Sequence, residues 1–204
     1  MASNTKKEIQ AYGIKVLLSQ HPEVRKLKRL NIPSNHGNKF WSSSWLLMDY
    51  FKRRGLPNDS CVMEVGCGWG LLGIYCAKKH GATVTGVDID PDVFPYLRLH
   101  SEINNVEIAI LKKGFDGITD RHLKNVDVLI GADICFWNKM IAPLKRLIRR
   151  SLRAGVRQVL IADPGRSPFE DLGEYFAEKH RGKILNWSIK HPRNIQGRIL
   201  EIAD

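Results

Sequence analysis

Apolar residues in this chain follow two rhythms, one helical and one of short continuous runs. Ile9, Ile14, Val16, Leu17, Leu18, Leu27 and Leu30 are spaced as on helices near residues 5–20 and 22–30, predicting a helical lead-in. Pro33 through Lys39 is a polar break. Trp45, Leu46, Leu47, Tyr50 and Phe51 then recur at helical spacing until Gly55-Leu56-Pro57 stops them. From there, short apolar runs alternate with amphipathic stretches. Strands are expected at roughly 60–66, 82–88, 106–112, 126–132 and 157–162, and helices near 70–80, 91–103, 138–153 and 168–179. Such alternation implies an α/β fold, doubly wound and Rossmann-like, with helices on both faces of a mostly parallel sheet and ligands at the carboxyl ends of its strands. The tail differs. Residues 183–190 and 196–203 both read as strands, with His191-Pro192-Arg193-Asn194 between them and no helix, so they must pair antiparallel.

A chain of 204 residues with 43% hydrophobic content suits one α/β domain. Residues 1–204 are therefore expected to form a single domain, with 1–56 as a helical lead-in and 57–204 as the sheet core. No apolar run reaches eighteen residues, and Met1-Ala2-Ser3-Asn4-Thr5-Lys6-Lys7-Glu8 lacks the apolar centre of a secretory signal. A cytoplasmic location is expected. Cys61, Cys67, Cys76 and Cys135 lack the paired spacing of a zinc site or a secreted disulfide frame, so they read as reduced thiols and no metal site is expected. The net charge of +11 is uneven: residues 1–60 hold eleven Lys/Arg against four Asp/Glu, 61–135 seven against ten, and 136–204 fourteen against seven. Basic flanks suit an acidic protein surface or nucleic acid as partner, and an ordinary solvated surface accounts for them equally well.

The most informative segment is Val62-Met63-Glu64-Val65-Gly66-Cys67-Gly68-Trp69-Gly70, followed by Val84-Thr85-Gly86-Val87-Asp88. An apolar run ending in alternating glycines is a buried strand turning sharply into a helix, with backbone N–H groups left open to a ligand. An acid at the tip of the next strand can accept both hydroxyl hydrogen bonds of a ribose. Gly68 to Gly73 fit the dinucleotide pattern G-x-G-x-x-G, with Asp88 where an NAD site has its acid. Counted from Glu64, the string is E-x-G-x-G-x-G, which resembles motif I of the seven-strand methyltransferases that use S-adenosylmethionine. The second register is preferred because its first glycine follows the apolar strand directly and the resemblance continues elsewhere.

Phe40-Trp41-Ser42-Ser43-Ser44-Trp45 resembles the W-P-S/A-S/A segment of the branch containing protein-lysine methyltransferases and nicotinamide N-methylase-like proteins, with serine in place of the usual proline. Ala132-Asp133-Ile134-Cys135-Phe136 resembles that branch's D-x-x-Y/F motif, and Asp163-Pro164-Gly165-Arg166 its strand-end D-P-G-R. The likeness covers residues from about 36 to 204. It implies a seven-stranded sheet closed by an antiparallel hairpin, S-adenosyl-L-methionine as cofactor, and a cofactor site formed by Trp41, Glu64, Gly66, Cys67, Gly68, Asp88, Ile89, Asp116 and Ala132. It also implies Asp133 and Phe136 at the reacting nitrogen, with Trp137, Asp163 and Arg166 toward the acceptor.

Methyl transfer from a sulfonium is an in-line displacement, so alignment matters more than a strong base. Asp133 would orient an amine, or else cap a helix. Phe136 and Trp137 would wall the acceptor pocket, or else pack the sheet edge. Trp41 would border the site or anchor the helix after it, and Asp116 would meet the adenine or simply make an Asp-Gly turn. Cys135 lacks the Pro-Cys context of a cytosine C5 nucleophile, and the N/D-P-P-Y/F motif of amino-methylating nucleic-acid enzymes is absent, so a nucleic-acid acceptor is not favoured. The expected function is N-methylation, with a protein lysine side chain leading. A small nicotinamide-like amine, or a catalytically inactive cofactor-binding interaction module, are the alternatives.

Overall fold

The computed structural model describes residues 7–34 and 36–203. Residues 1–6, on which the reading of the amino terminus rests, lie outside them. The elements run β1 (Glu8–Ala11), β2 (Ile14–Leu17), α1 (Pro22–Leu30), α2 (Ser43–Arg54), β3 (Cys61–Val65), α3 (Leu71–His80), β4 (Thr83–Asp88), α4 (Phe94–Asn104), β5 (Ala109–Lys112), α5 (Asp120–Leu123), β6 (Val128–Ala132), α6 (Asn138–Arg153), β7 (Gln158–Asp163), α7 (Ser167–Lys179), β8 (Lys183–Ile189) and β9 (Ile195–Ala203). Seven strands form one sheet in the order β5-β4-β3-β6-β7-β9-β8. The first five of these in space pair in parallel, and β9 pairs antiparallel with both β7 and β8.

Strand side chains alternate between two cores because successive residues of a strand face opposite ways. Val62, Val84, Val128, Leu160 and Ala162 enter the core shared with α2, α3 and Tyr96 of α4. Met63, Val65, Val87, Leu129, Val159 and Ile161 enter the core shared with α6 and α7. Covering both faces is what makes these strands read as continuous apolar runs. The strand order reverses around β3, which lies between β4 and β6. The ends of these three strands are where a doubly wound sheet leaves a crevice.

One expectation is corrected. Residues 8–17, expected to be helical, form an antiparallel hairpin in which Ala11 pairs with Ile14. Tyr12 and Gly13 both have positive φ, 52° and 76°, as a two-residue hairpin turn demands. Ile14 and Val16 are β-branched and point into the core together. The hairpin is fastened to α4: Asn104 accepts the Lys15 N–H at 2.8 Å and donates to the Lys15 carbonyl at 2.8 Å. His100, fully buried, accepts the Leu17 N–H at 3.2 Å. Tertiary hydrogen bonding thus overrides the helical spacing of the apolar residues.

Candidate active site

Between β3 and α3 the chain places Gly66, Gly68 and Gly70 at φ values of 63°, 51° and 69°. That left-handed region is costly for any residue with a Cβ. A Cβ at Gly70 would also lie 2.7 Å from Leu97, whereas one at Gly68 would meet nothing within 4 Å. The first is held to glycine by packing and backbone alike; the second by its backbone, beside open space.

Glu64, buried in β3, accepts the Gly73 N–H at 2.9 Å, so its carboxyl oxygen satisfies an amide in the first turn of α3 that has no partner within the helix. Burial pushes this carboxyl up to about 8, against the Gly73 hydrogen bond and with help from the negative charge of Asp88. Asp88, at the end of β4, accepts the Gly68 N–H at 3.0 Å and the Asp90 N–H at 3.0 Å. Its carboxyl is also raised, chiefly by burial. The glycine turn and the acid are therefore one hydrogen-bonded unit.

A cleft of about 480 Å³ opens over the ends of β3, β4 and β6. It gathers ten of the residues singled out from sequence: Trp41, Gly66, Gly68, Asp88, Ile89, Asp116, Ala132, Asp133, Phe136 and Trp137. Glu64, Cys67, Asp163 and Arg166 do not line it. Ile89 is 62% exposed, an uncovered apolar side chain immediately after the acid. Gly114 leaves room for it, since a Cβ there would stand 3.1 Å from Ile89 Cδ1. At this end Asp116 is held by Arg146 through two bonds of 2.9 and 2.8 Å, and that guanidinium keeps its carboxyl below the usual range.

The other end is aromatic and ionic. Asp133 follows β6 with φ 56° and is 5% exposed. One of its oxygens accepts the Ser43 N–H at 2.8 Å, at the start of α2; the other accepts Arg166 Nη2 at 3.1 Å. Arg166 also donates to Asp163 at 2.6 Å. Asp163 is fully buried and accepts the Gly165 and Arg166 N–H groups at 3.0 and 2.8 Å, so it braces Arg166 from behind and has no face on the cleft. The Arg166 guanidinium lies 4.2 Å from the Phe136 ring and 5.9 Å from that of Trp41. Asp133 is thus a helix cap, but of a helix far from it in sequence.

Sequence reasoning passed over several residues of the cleft, His36, Lys39, Val93, Phe115, Met140 and Pro143 among them. His36 stacks on Phe136 at 4.6 Å and 22°, and its carbonyl accepts Trp41 Nε1–H at 2.9 Å. Trp41 meets Phe136 edge-on at 4.9 Å. Lys39 Nζ stands 4.0 Å over the Trp41 ring. The only local signal was their place in a polar break just before Trp41. Cys135 is buried, and burial pushes its thiol well up, leaving it inert as a nucleophile. Among the described residues, no group of three or more His, Cys, Asp or Glu could hold a metal ion, and no helix is long and apolar enough to cross a membrane.

Comparison with known proteins gives a consistent result. The family model described as lysine methyltransferase matches residues 12–178. The electron transfer flavoprotein beta subunit lysine methyltransferase of Xenopus laevis is 27% identical over 139 residues, 66% of this chain and 56% of that protein. The chain spans little more than half of that relative's length, and less of the next two curated relatives. A methyltransferase from Pyrococcus furiosus superposes with a TM-score of 0.62 at 16% identity, covering 89% of this chain and 97% of that one. The Pyrococcus abyssi tRNA (uracil-54, C5)-methyltransferase, solved with S-adenosyl-L-homocysteine, gives 0.58 at 17% identity, covering 96% of this chain and 43% of that one. At such identities these two structures speak for the fold: a Rossmann-like methyltransferase sheet.

Proposed function

The chain belongs to the lysine methyltransferase family, and on that premise we propose that it transfers the methyl group of S-adenosylmethionine to nitrogen, with the ε-amine of a protein lysine as acceptor. One observation carries the reading. A single cleft joins the glycine turn and Asp88, suited to an adenosine, to an aromatic and acidic end at Trp41, Phe136 and Asp133, suited to an amine. Its volume of about 480 Å³ falls within the ordinary range for cofactor sites. The S-adenosyl-L-homocysteine held by the Pyrococcus abyssi enzyme supports the cofactor, and the Xenopus relative, a lysine methyltransferase of a flavoprotein subunit, supports a protein lysine as acceptor.

When bound, S-adenosylmethionine supplies an activated methyl group on a sulfonium centre. Asp88 would accept the ribose hydroxyls, and Ile89 and Asp116 would flank the adenine. Gly66 and Gly68 would let the backbone approach the cofactor without a side chain between, and Ala132 would border it. Glu64 and Cys67 act from behind the turn, Glu64 by holding the start of α3. The remaining work is alignment, because in-line displacement gains most from holding the nucleophile against the methyl carbon. Phe136 and Trp41 form the wall along which the acceptor's alkyl chain lies, with Trp137 at its rim. Asp133 still has acceptor capacity beyond its two bonds, enough to take one N–H of the amine. Arg166 and Asp163 fix that carboxylate in place. Balanced by Arg166, Asp133 serves to orient the amine, and the amine's proton leaves to solvent.

His36, Lys39 and Trp137 are exposed at the rim, which supports entry of a side chain presented by another protein. We assign the basic flanks to an acidic surface on that partner, and the reaction to the cytoplasm, a reading supported by four free thiols. The test is to incubate the protein with methyl-labelled S-adenosylmethionine and protein extracts, then hydrolyse the labelled product. Labelled methyl-lysine is the expected outcome. Label confined to small amines, or none at all, would overturn it.

A further inference from the structure

Lys39 does not belong to the cofactor end of the cleft, and no sequence motif absorbs it. It lines the same cavity as Asp88, Asp133 and Phe136. Its ammonium sits 4.0 Å over the Trp41 ring, well inside the distance at which an aromatic face attracts a cation. Trp41 packs on Phe136, and the Arg166 that grips Asp133 reaches toward the same indole. Lys39 is therefore one ring removed from the group that orients the acceptor. Among the described residues it forms no ion pair with a carboxylate, and its amine lies against the indole. Its side chain is exposed, on the segment that follows His36 and Gly37 and leads into Trp41. The cleft has two other lysines. Lys139 stands over Trp137 at 5.2 Å, on the rim, and Lys113 adjoins Gly114 and Gly117 at the adenine end.

We propose that Lys39 is an intrachain methyl acceptor: its ε-amine rests on Trp41, on the wall proposed for a substrate's alkyl chain, and advances from there past Phe136 to Asp133, where the site methylates it. The inference rests on the methyltransferase reading. In the step, the ammonium first loses a proton to solvent. The neutral nitrogen then attacks the sulfonium methyl carbon, a carbon–nitrogen bond forms, and the carbon–sulfur bond breaks with its electron pair left on sulfur. The products are S-adenosylhomocysteine and a methylated, still cationic Lys39. A methylated ammonium remains a good guest for an aromatic face, so the modified residue would compete with incoming substrate for Trp41.

Two readouts on the full chain test this. In the cofactor-free protein, lysines are reductively methylated with ¹³C-formaldehyde and observed by NMR, the Lys39 signal being assigned by its absence in Lys39→Arg. Ring current from Trp41 is expected to shift that signal upfield of the other exposed lysines, and Trp41→Leu to return it to them. A Lys39 signal already among the others in the unsubstituted protein would overturn the seating. In the second, the protein is incubated with labelled S-adenosylmethionine and its peptides are mapped by mass spectrometry. Methylation of Lys39 at a rate per molecule independent of protein concentration, and lost in Lys39→Arg, is expected. Methyl-lysine formed in extract proteins while Lys39 stays unmodified, or label only on Lys139 or Lys113, would overturn this inference and leave the methyltransferase reading standing. Failure of the protein to bind S-adenosylmethionine would overturn both.

Discussion

The Asp133 carboxylate accepts the backbone N–H of Ser43, ninety residues earlier in the chain, at 2.8 Å. This bond ties the end of β6 to the start of α2, and so fixes the Trp41 segment against Phe136. Asp133 also sits at φ 56°, a conformation that costs alanine more than asparagine. Asp133→Ala is therefore expected to lower folding stability by about 1–3 kcal/mol, the cost of leaving buried polar partners unsatisfied, to abolish transfer, and to leave cofactor affinity close to its original value. Asp133→Asn should recover most of the stability and little of the transfer. Urea unfolding and methyl-transfer assays on both variants separate the cap from the chemistry; retained turnover in Asp133→Ala would reduce Asp133 to a cap.

Asp88 holds Gly68 and, in the proposed function, meets the ribose. Asp88→Ala is expected to weaken S-adenosylmethionine binding by about 1–3 kcal/mol, the loss of charge-assisted hydrogen bonds. Calorimetric titration measures it. Unchanged affinity would move the ribose contact elsewhere.

Glu64 gives the protein a pH signature. Its carboxyl is raised from about 4.5 to about 8, so between those values the folded state keeps a proton that the unfolded chain releases. Its contribution to stability is complete below the lower value and is lost as pH rises through the upper one. Glu64→Gln keeps an acceptor for Gly73 but cannot ionise. Stability measured from pH 4.5 to 8 should fall less steeply in this variant than in the original; parallel curves would mean that Glu64 is ionised in the folded protein.

Gly70 is constrained twice, by φ 69° and by Leu97 at 2.7 Å from where its Cβ would lie. Gly70→Ala should cost about 2–4 kcal/mol, the sum of left-handed strain and local overpacking. Gly68→Ala shares the strain without the clash and should cost less. Equal losses by urea unfolding would show that packing against α4 plays no part.

Legibility in the sequence followed burial and range. β3 and β4 were plain because strands covered on both faces become continuous apolar runs, and α6 fell at 138–153 as expected because one side of it carries Leu144, Leu147 and Ile148 and the other arginines. The hairpin at 8–17 was missed because four-residue strands are too short to display a period of two, although Tyr12-Gly13 offered a turn. Glu64 and Asp88 were placed by the glycine motif beside them. By contrast, the bond from Asp133 to Ser43 and the bracing of Arg166 by Asp163 depend on how β6, β7 and α2 converge, which no local pattern encodes. His36 and Lys39 look like solvated loop residues until the fold brings His36 over Phe136 and Lys39 over Trp41.

All of the chemistry assigned to this cleft depends on its binding S-adenosylmethionine. Calorimetric titration of the protein with S-adenosylmethionine and S-adenosylhomocysteine, with NADH as control, tests that most directly. Saturable binding of the first two and no response to NADH is the predicted result. Binding of NADH in their place, or no binding of either sulfur compound, would contradict it.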